Sequence, residues 1–126
     1  MAAKQTILIV EDDADLRRLY SAVLTLAGYA VRESADGFRA LHALDEKPMP
    51  DCIVLDLMLP VLSGHAVKHE LASSAEMRDI PVVVVTGSDA NLDRLGANCV
   101  LRKPVSPDDL VSAIERCLLS VRPAEV

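Results

Sequence analysis

Asp56 closes a run of buried-strand character, Cys52-Ile53-Val54-Leu55-Asp56-Leu57-Met58-Leu59-Pro60. A β-branched apolar segment of this kind reads as a strand covered on both faces. Pro60 and Gly64 then break the chain into a loop. An acid at such a point can simply cap the next turn, so the rest of the chain has to decide. Four other polar residues share its situation. Glu11 and Asp12 follow the apolar run Thr6–Val10, Thr86 follows residues 80–85, and Lys103 follows residues 98–101. If these runs are strands of one parallel sheet, their carboxyl ends lie on one edge, where open α/β folds bind ligands. Each residue has an ordinary reading alone: Glu11 and Asp12 as helix-start acids, Thr86 as a turn hydroxyl, Lys103 as a solvated charge. Coincidence of all of them at one edge is the weaker explanation.

The residue types also make chemical sense as a set. Three carboxylates at one point repel, and a hard divalent cation relieves them. Carboxylates, a backbone carbonyl and waters suit Mg²⁺. Mg²⁺ with a nearby lysine and a hydroxyl is what a phosphoryl group needs, namely charge neutralisation and donors for its oxygens. One carboxylate can then act as nucleophile and form an aspartyl phosphate.

The elements that must position these groups alternate along the chain. Thr6–Val10 reads as a first strand. Leu16, Leu19, Tyr20, Val23, Leu24 and Ala27 then follow a helical apolar template, started by Asp13 or Asp15 and stopped by Gly28. Ala30–Ser34 is a weaker strand, mixed polar and apolar, and so expected near an edge. Asp36-Gly37 is a turn. Residues 38–46 form a short helix with Ala40, Leu41 and Leu44 inward, and residues 47–50 are a proline-stiffened connection. The central strand follows at residues 51–55. Residues 65–73 read as a helix carrying Val67 and Leu71, residues 74–79 as a polar linker, and residues 80–85 as the most apolar strand. Residues 89–96 hold only Leu92 and Leu95 as large apolar residues, with Asn91 and two aspartates, which supports a turn or two but no full amphipathic helix. Residues 98–101 are a short last strand. The final helix is well signalled by Ser106 at the N-cap, Pro107 at the first helical position and Asp109, with Leu110, Ala113, Ile114, Cys117, Leu118 and Val121 inward. Residues 123–126 read as a frayed tail. This alternation predicts a doubly wound α/β fold with a five-stranded parallel sheet and helices on both faces.

Gross properties narrow the function. A chain of 126 residues is expected to be one domain, residues 1–126 with a core over about 5–121. Phe38, Tyr20 and Tyr29 are its aromatic residues and there is no Trp, so the core must be aliphatic. Thirteen Lys and Arg against nineteen Asp and Glu give a net charge of −6, with no basic run and no stacking platform, which argues against direct nucleic-acid binding. Cys52, Cys99 and Cys117 form no zinc spacing and read as core or stripe residues in a reducing cytoplasm. His65 and His69 are four apart on one helix but have no third ligand nearby, and His42 stands alone, so all three read as surface histidines. The apolar start is too short for a signal peptide or a membrane span.

With the motifs in order, Glu11-Asp12, Gly28, Ala35-Asp36-Gly37, Asp56-Leu57-Met58-Leu59-Pro60 with Gly64, Thr86, Gly96-Ala97 and Lys103-Pro104, the chain resembles a receiver domain of the bacterial response-regulator family over nearly its whole length. The resemblance implies a flavodoxin-like strand order 2-1-3-4-5. It implies that Asp56 takes a phosphoryl group from a phosphohistidine on a sensor histidine kinase or histidine phosphotransfer protein. Glu11, Asp12, Asp56 and the backbone carbonyl of Met58 would hold Mg²⁺, Thr86 would be the switch hydroxyl, and Lys103 would pair with the phosphoryl group. The bond before Pro104 is expected to be cis. Met58, Gly87 and Ser88 lie where family members tune dephosphorylation, and a bulky Met58 would hinder the attacking water. The protein would be a phosphoacceptor rather than an enzyme, a cytoplasmic monomer or weak dimer acting on a downstream protein.

Two departures from the family pattern stand out. The aromatic switch partner usual in the last strand is Val100, and the segment between Thr86 and Lys103 is several residues shorter than usual, the loss falling on the fourth helix. A short or missing fourth helix and a Thr86 switch without aromatic coupling are therefore expected. Two competing readings remain. A haloacid-dehalogenase-like phosphohydrolase would need a second Asp where Met58 stands. A degenerate receiver would lack part of the acid, Asp, Thr and Lys set. The sequence ends with the last helix and its tail, so either a single-domain regulator or a receiver excised from a larger protein is expected.

Overall fold

The structure, a computed structural model, describes residues 4–87 and 99–120. Among these, the chain runs β1 (Thr6–Val10), α1 (Ala14–Leu26), β2 (Ala30–Ser34), α2 (Gly37–Leu44), β3 (Cys52–Asp56), α3 (Gly64–Ala72), β4 (Val82–Thr86), β5 (Cys99–Arg102) and α4 (Pro107–Ser120). The strands pair in parallel in the order β2-β1-β3-β4-β5, the doubly wound flavodoxin-like arrangement expected. β2 takes an edge, as its mixed composition implied.

Side-chain alternation along the strands builds two cores. Ile7 and Ile9 of β1, Cys52 and Val54 of β3, and Val83 and Val85 of β4 point to one face, under Tyr20 and Leu24 of α1 and Leu110, Ile114 and Cys117 of α4. Leu8, Val10, Ile53, Leu55, Val82 and Val84 point to the other, under Ala40 and Leu44 of α2 and Val67 and Leu71 of α3. With both faces covered, β3 and β4 are buried along their whole length, which is why they read as unbroken apolar runs rather than alternating ones.

Helix ends follow local hydrogen bonding. Asp13 caps α1 by accepting the N–H groups of Asp15 at 2.9 Å and Leu16 at 3.1 Å. Beyond its last turn Gly28 takes φ +101°, a left-handed conformation that costs glycine little. The N–H of Tyr29 there returns to the carbonyl of Leu24. Ser106 caps α4 by accepting the Asp109 N–H at 3.1 Å.

Two expectations need correction. Strand and helix bounds shift by one or two residues, with β3 running through Asp56 itself. Leu19 of α1 is 48 % exposed, and Ala27 is also exposed. A helix lying on a sheet buries only the stripe it touches, here Tyr20 and Leu24, and the apolar template spans a wider arc than that contact. The expected short or missing fourth helix at residues 89–96, Ser88, Val121 and the tail lie outside the described residues. Among the described residues no helix is long and apolar enough to cross a membrane.

Candidate functional site

The parallel register brings the predicted groups to one edge. Val10 of β1 sits beside Leu55 of β3, so Glu11 follows β1 next to Asp56, the last residue of β3. Asp56 in turn pairs with Val85 of β4, which places Thr86 one residue further along the neighbouring strand. Carboxylate oxygens of Glu11, Asp12 and Asp56 lie within 4.8 Å of one another. Asp12 is exposed, whereas Glu11 and Asp56 are each only 2 % exposed. Lys103, just after β5, reaches over the sheet edge. Its Nζ lies 2.8 Å from Glu11 Oε1 and 3.1 Å from Asp56 Oδ2. Its backbone N–H donates to the Thr86 carbonyl at 2.9 Å, which ties the ends of β4 and β5 together. The Lys103–Pro104 bond is cis, as the resemblance implies.

Charge crowding sets the electrostatics of this edge. Burial pushes the Glu11 carboxyl above the ordinary glutamate range, against the opposing pull of Lys103 and of the Asp13 N–H that donates to Glu11 Oε2 at 3.1 Å. Burial also pulls the Lys103 ammonium toward neutrality, but its contacts with Glu11 and Asp56 outweigh that and hold its pKa above the usual lysine range. Glu11 Oε1 is sealed from solvent, with the Lys103 ammonium at 2.8 Å as its counter-ion. Two buried acids and one exposed acid around a single ammonium leave net negative charge. Such an oxygen set fits a hard divalent cation, with Glu11, Asp12 and Asp56 as its available carboxylates.

The loop after β3 is held tightly. The Met58 N–H donates to Asp56 Oδ1 at 3.0 Å, which fixes the rotamer of the acid, while the Met58 side chain is 67 % exposed. Gly64 lies so close to the Asp56 carbonyl and the Leu57 Cα that a side chain there would collide with backbone on both. Its N–H donates to the Leu57 carbonyl at 3.1 Å. Gly37, opening α2, packs in the same way against the Leu62 carbonyl. Between these two contacts the loop turns at Val61, which takes φ +68° as the Leu62 N–H closes onto the Pro60 carbonyl at 2.7 Å. A β-branched residue in this region is strained.

The structure thus brings Glu11, Asp12, Asp56 and Lys103 into direct association and sets Thr86, fully buried, at the adjacent strand end. Val100, expected in place of an aromatic partner, pairs with Val84 and is 36 % exposed. The sequence reading missed Arg17. Its Nη1 donates to the Glu11 carbonyl at 2.8 Å and lies 3.5 Å from the Asp12 carbonyl, and its Nε lies 3.2 Å from Glu33 Oε1 of β2. On a helical wheel it reads as one more solvated helix charge, so only the return of α1 over β2 could reveal it.

Known proteins resemble this chain over nearly its whole length. The phosphate regulon transcriptional regulatory protein PhoB of Escherichia coli (strain K12) is 38 % identical over 125 residues, covering 95 % of this chain and 54 % of that protein. PhoB of Klebsiella pneumoniae gives the same figures. The chain spans about half the length of these curated relatives. Among solved structures, a CheY-like response regulator receiver domain protein from Methanospirillum hungatei JF-1 superposes with a TM-score of 0.86 at 25 % identity, over 94 % of this chain and 97 % of that one. The chemotaxis response regulator CheY4 of Vibrio cholerae superposes with a TM-score of 0.83 at 27 % identity, over 91 % and 99 %. Residues 7–115 match the family model of the response regulator receiver domain, and the chain belongs to that family.

Proposed function

We propose that this receiver domain serves phosphorelay signalling by accepting a phosphoryl group on Asp56 in a Mg²⁺-dependent reaction. The donor is a phosphohistidine on a sensor histidine kinase or histidine phosphotransfer protein. The observation that carries the reading is the placement of the Asp56 carboxylate, within 4.8 Å of two further acids and 3.1 Å from the Lys103 ammonium, at the carboxyl edge of the sheet.

In this reading one Asp56 oxygen forms a bond to phosphorus as the phosphorus–nitrogen bond of the donor breaks, and the bonding pair returns to the imidazole nitrogen. Glu11, Asp12, Asp56 and the Met58 carbonyl would hold Mg²⁺, which would supply charge neutralisation for the phosphoryl oxygens. The Met58 N–H, already on Asp56 Oδ1, keeps the carboxylate aimed. Lys103 exchanges a carboxylate oxygen for a phosphoryl oxygen, and the Thr86 hydroxyl turns toward the same group. With Val100 in place of an aromatic partner, that movement is read through β4 and β5 rather than through a ring. The modified domain then acts on a downstream protein, in the cytoplasm, as a monomer or weak dimer. It is a phosphoacceptor and does not turn over a separate substrate.

Incubation with Mg²⁺ and a small phosphodonor tests this. Intact-mass measurement should show a single added phosphoryl group, absent from Asp56→Asn and absent in excess chelator. An unmodified wild-type protein, or an equally modified Asp56→Asn, would reject Asp56 as the acceptor.

A further inference from the structure

We infer that Arg17 is a positioning residue for the divalent-cation site, acting through the backbone that carries Glu11 and Asp12. The inference rests on the reading of those acids and Asp56 as Mg²⁺ ligands. Arg17 lies in the second turn of α1, with its side chain 19 % exposed. Its guanidinium donates through Nη1 to the Glu11 carbonyl at 2.8 Å and approaches the Asp12 carbonyl at 3.5 Å. Its Nε is anchored on Glu33 Oε1 at 3.2 Å. The fork geometry allows both at once, because separate N–H groups of one rigid plane serve the two sides.

The Glu11 peptide is consequently pinned at both ends. Its N–H donates to the Ser34 carbonyl of β2 at 3.1 Å, and its C=O is held by Arg17. The turn that follows is fixed independently of the guanidinium, since the Asp13 carbonyl accepts the backbone N–H of Arg17 at 2.9 Å. A helix-surface ion pair would contribute little. This one instead fixes the backbone of two adjacent ligand residues, so that the carboxylates of Glu11 and Asp12 meet Asp56 without reorganisation. Loss of supporting contacts that orient metal ligands typically lowers metal affinity about 10–100-fold.

Removing Arg17 pits two effects of opposite sign against each other. By Coulomb attraction alone, loss of a cation near three acids tightens divalent binding. Loss of positioning weakens it. We expect positioning to dominate, with Mg²⁺ affinity of Arg17→Met falling about tenfold. Arg17→Lys, which keeps the charge but cannot fork to Glu33 and the carbonyls together, should fall less but remain below the wild type. Mg²⁺ titration by calorimetry on the wild type and both variants decides the matter, with circular dichroism in chelator checking that each is folded. Should Arg17→Met not fold, Arg17→Lys still separates the two effects. Affinity equal to or tighter than wild type in whichever variants fold would overturn the inference while leaving the metal reading intact. A wild-type protein that binds no Mg²⁺ would overturn both.

Discussion

At the scale of single residues, Lys103 is a built-in counter-ion. Its ammonium bridges Glu11 and Asp56, two acids each 2 % exposed. Lys103→Met leaves those acids facing each other with nothing between them. Breaking a fully buried pair costs about 3–5 kcal/mol. The Lys103 side chain is 24 % exposed, so the loss here should fall below that range. Mg²⁺ should then recover more stability in the variant than it adds to the wild type, because it binds only the folded arrangement of acids and no longer competes with the ammonium. Thermal midpoints of both proteins with chelator and with Mg²⁺ check this, and an equal Mg²⁺ increment in the two would contradict it.

At the scale of elements, the loop between β3 and α3 carries the greatest steric constraint. Gly64 touches backbone atoms of Asp56 and Leu57, and neither can move without shifting the end of β3. Gly64→Ala should therefore destabilise the fold by about 1–3 kcal/mol, as overpacking against rigid neighbours does, and should slow phosphoryl uptake by displacing Asp56. Urea unfolding and an uptake time course measure the two effects. A stable Gly64→Ala would show that the loop yields. The cap on α4 makes a smaller, separable contribution. Ser106→Ala removes the acceptor for the Asp109 N–H and should cost about 1 kcal/mol while leaving the rate of uptake unchanged, since Ser106 is exposed and no part of the acid cluster.

At the scale of the whole molecule, two aliphatic cores sandwich a sheet whose central strands exclude water. Cys52 reports on that exclusion. Burial above all, with the neighbouring thiols of Cys117 and Cys99 adding to it, pushes its thiol up to about 12. The sign follows from linkage. An acid whose pKa is raised by folding contributes stability that is fully present below its unfolded pKa and is lost as pH rises toward the folded value. Above the ordinary thiol range the unfolded chain releases the Cys52 proton while the folded one keeps it. Stability should therefore fall by about 1.4 kcal/mol per pH unit from this thiol. Denaturation midpoints at about pH 8 and about pH 10 should fall more steeply in the wild type than in Cys52→Ala. Parallel slopes would mean that the thiol ionises freely in the folded state.

The sequence by itself determined the element order, the parallel sheet and the identity of the groups at its edge. These depend on local signals: apolar runs of strand length, Asp13 and Ser106 at helix starts, Gly28 at a helix end, and acids or Lys placed just after strands. Periodicity overreached at Leu19 and Ala27, because an apolar stripe does not record how wide its contact with the sheet is. The resemblance to a known family added the strand order and the expected roles of Asp56, Thr86 and Lys103, but no distances. Only the tertiary structure decided that Lys103 sits between Glu11 and Asp56, that Gly64 is fixed by the Asp56 carbonyl, and that Arg17 braces the acid pair against Glu33. The Lys103 and Arg17 contacts join segments apart in the chain and depend on which way a long side chain turns, and the Gly64 contact depends on how the loop after β3 folds back on that strand. Such contacts are set by sheet register and helix docking, and no local pattern of residues encodes them.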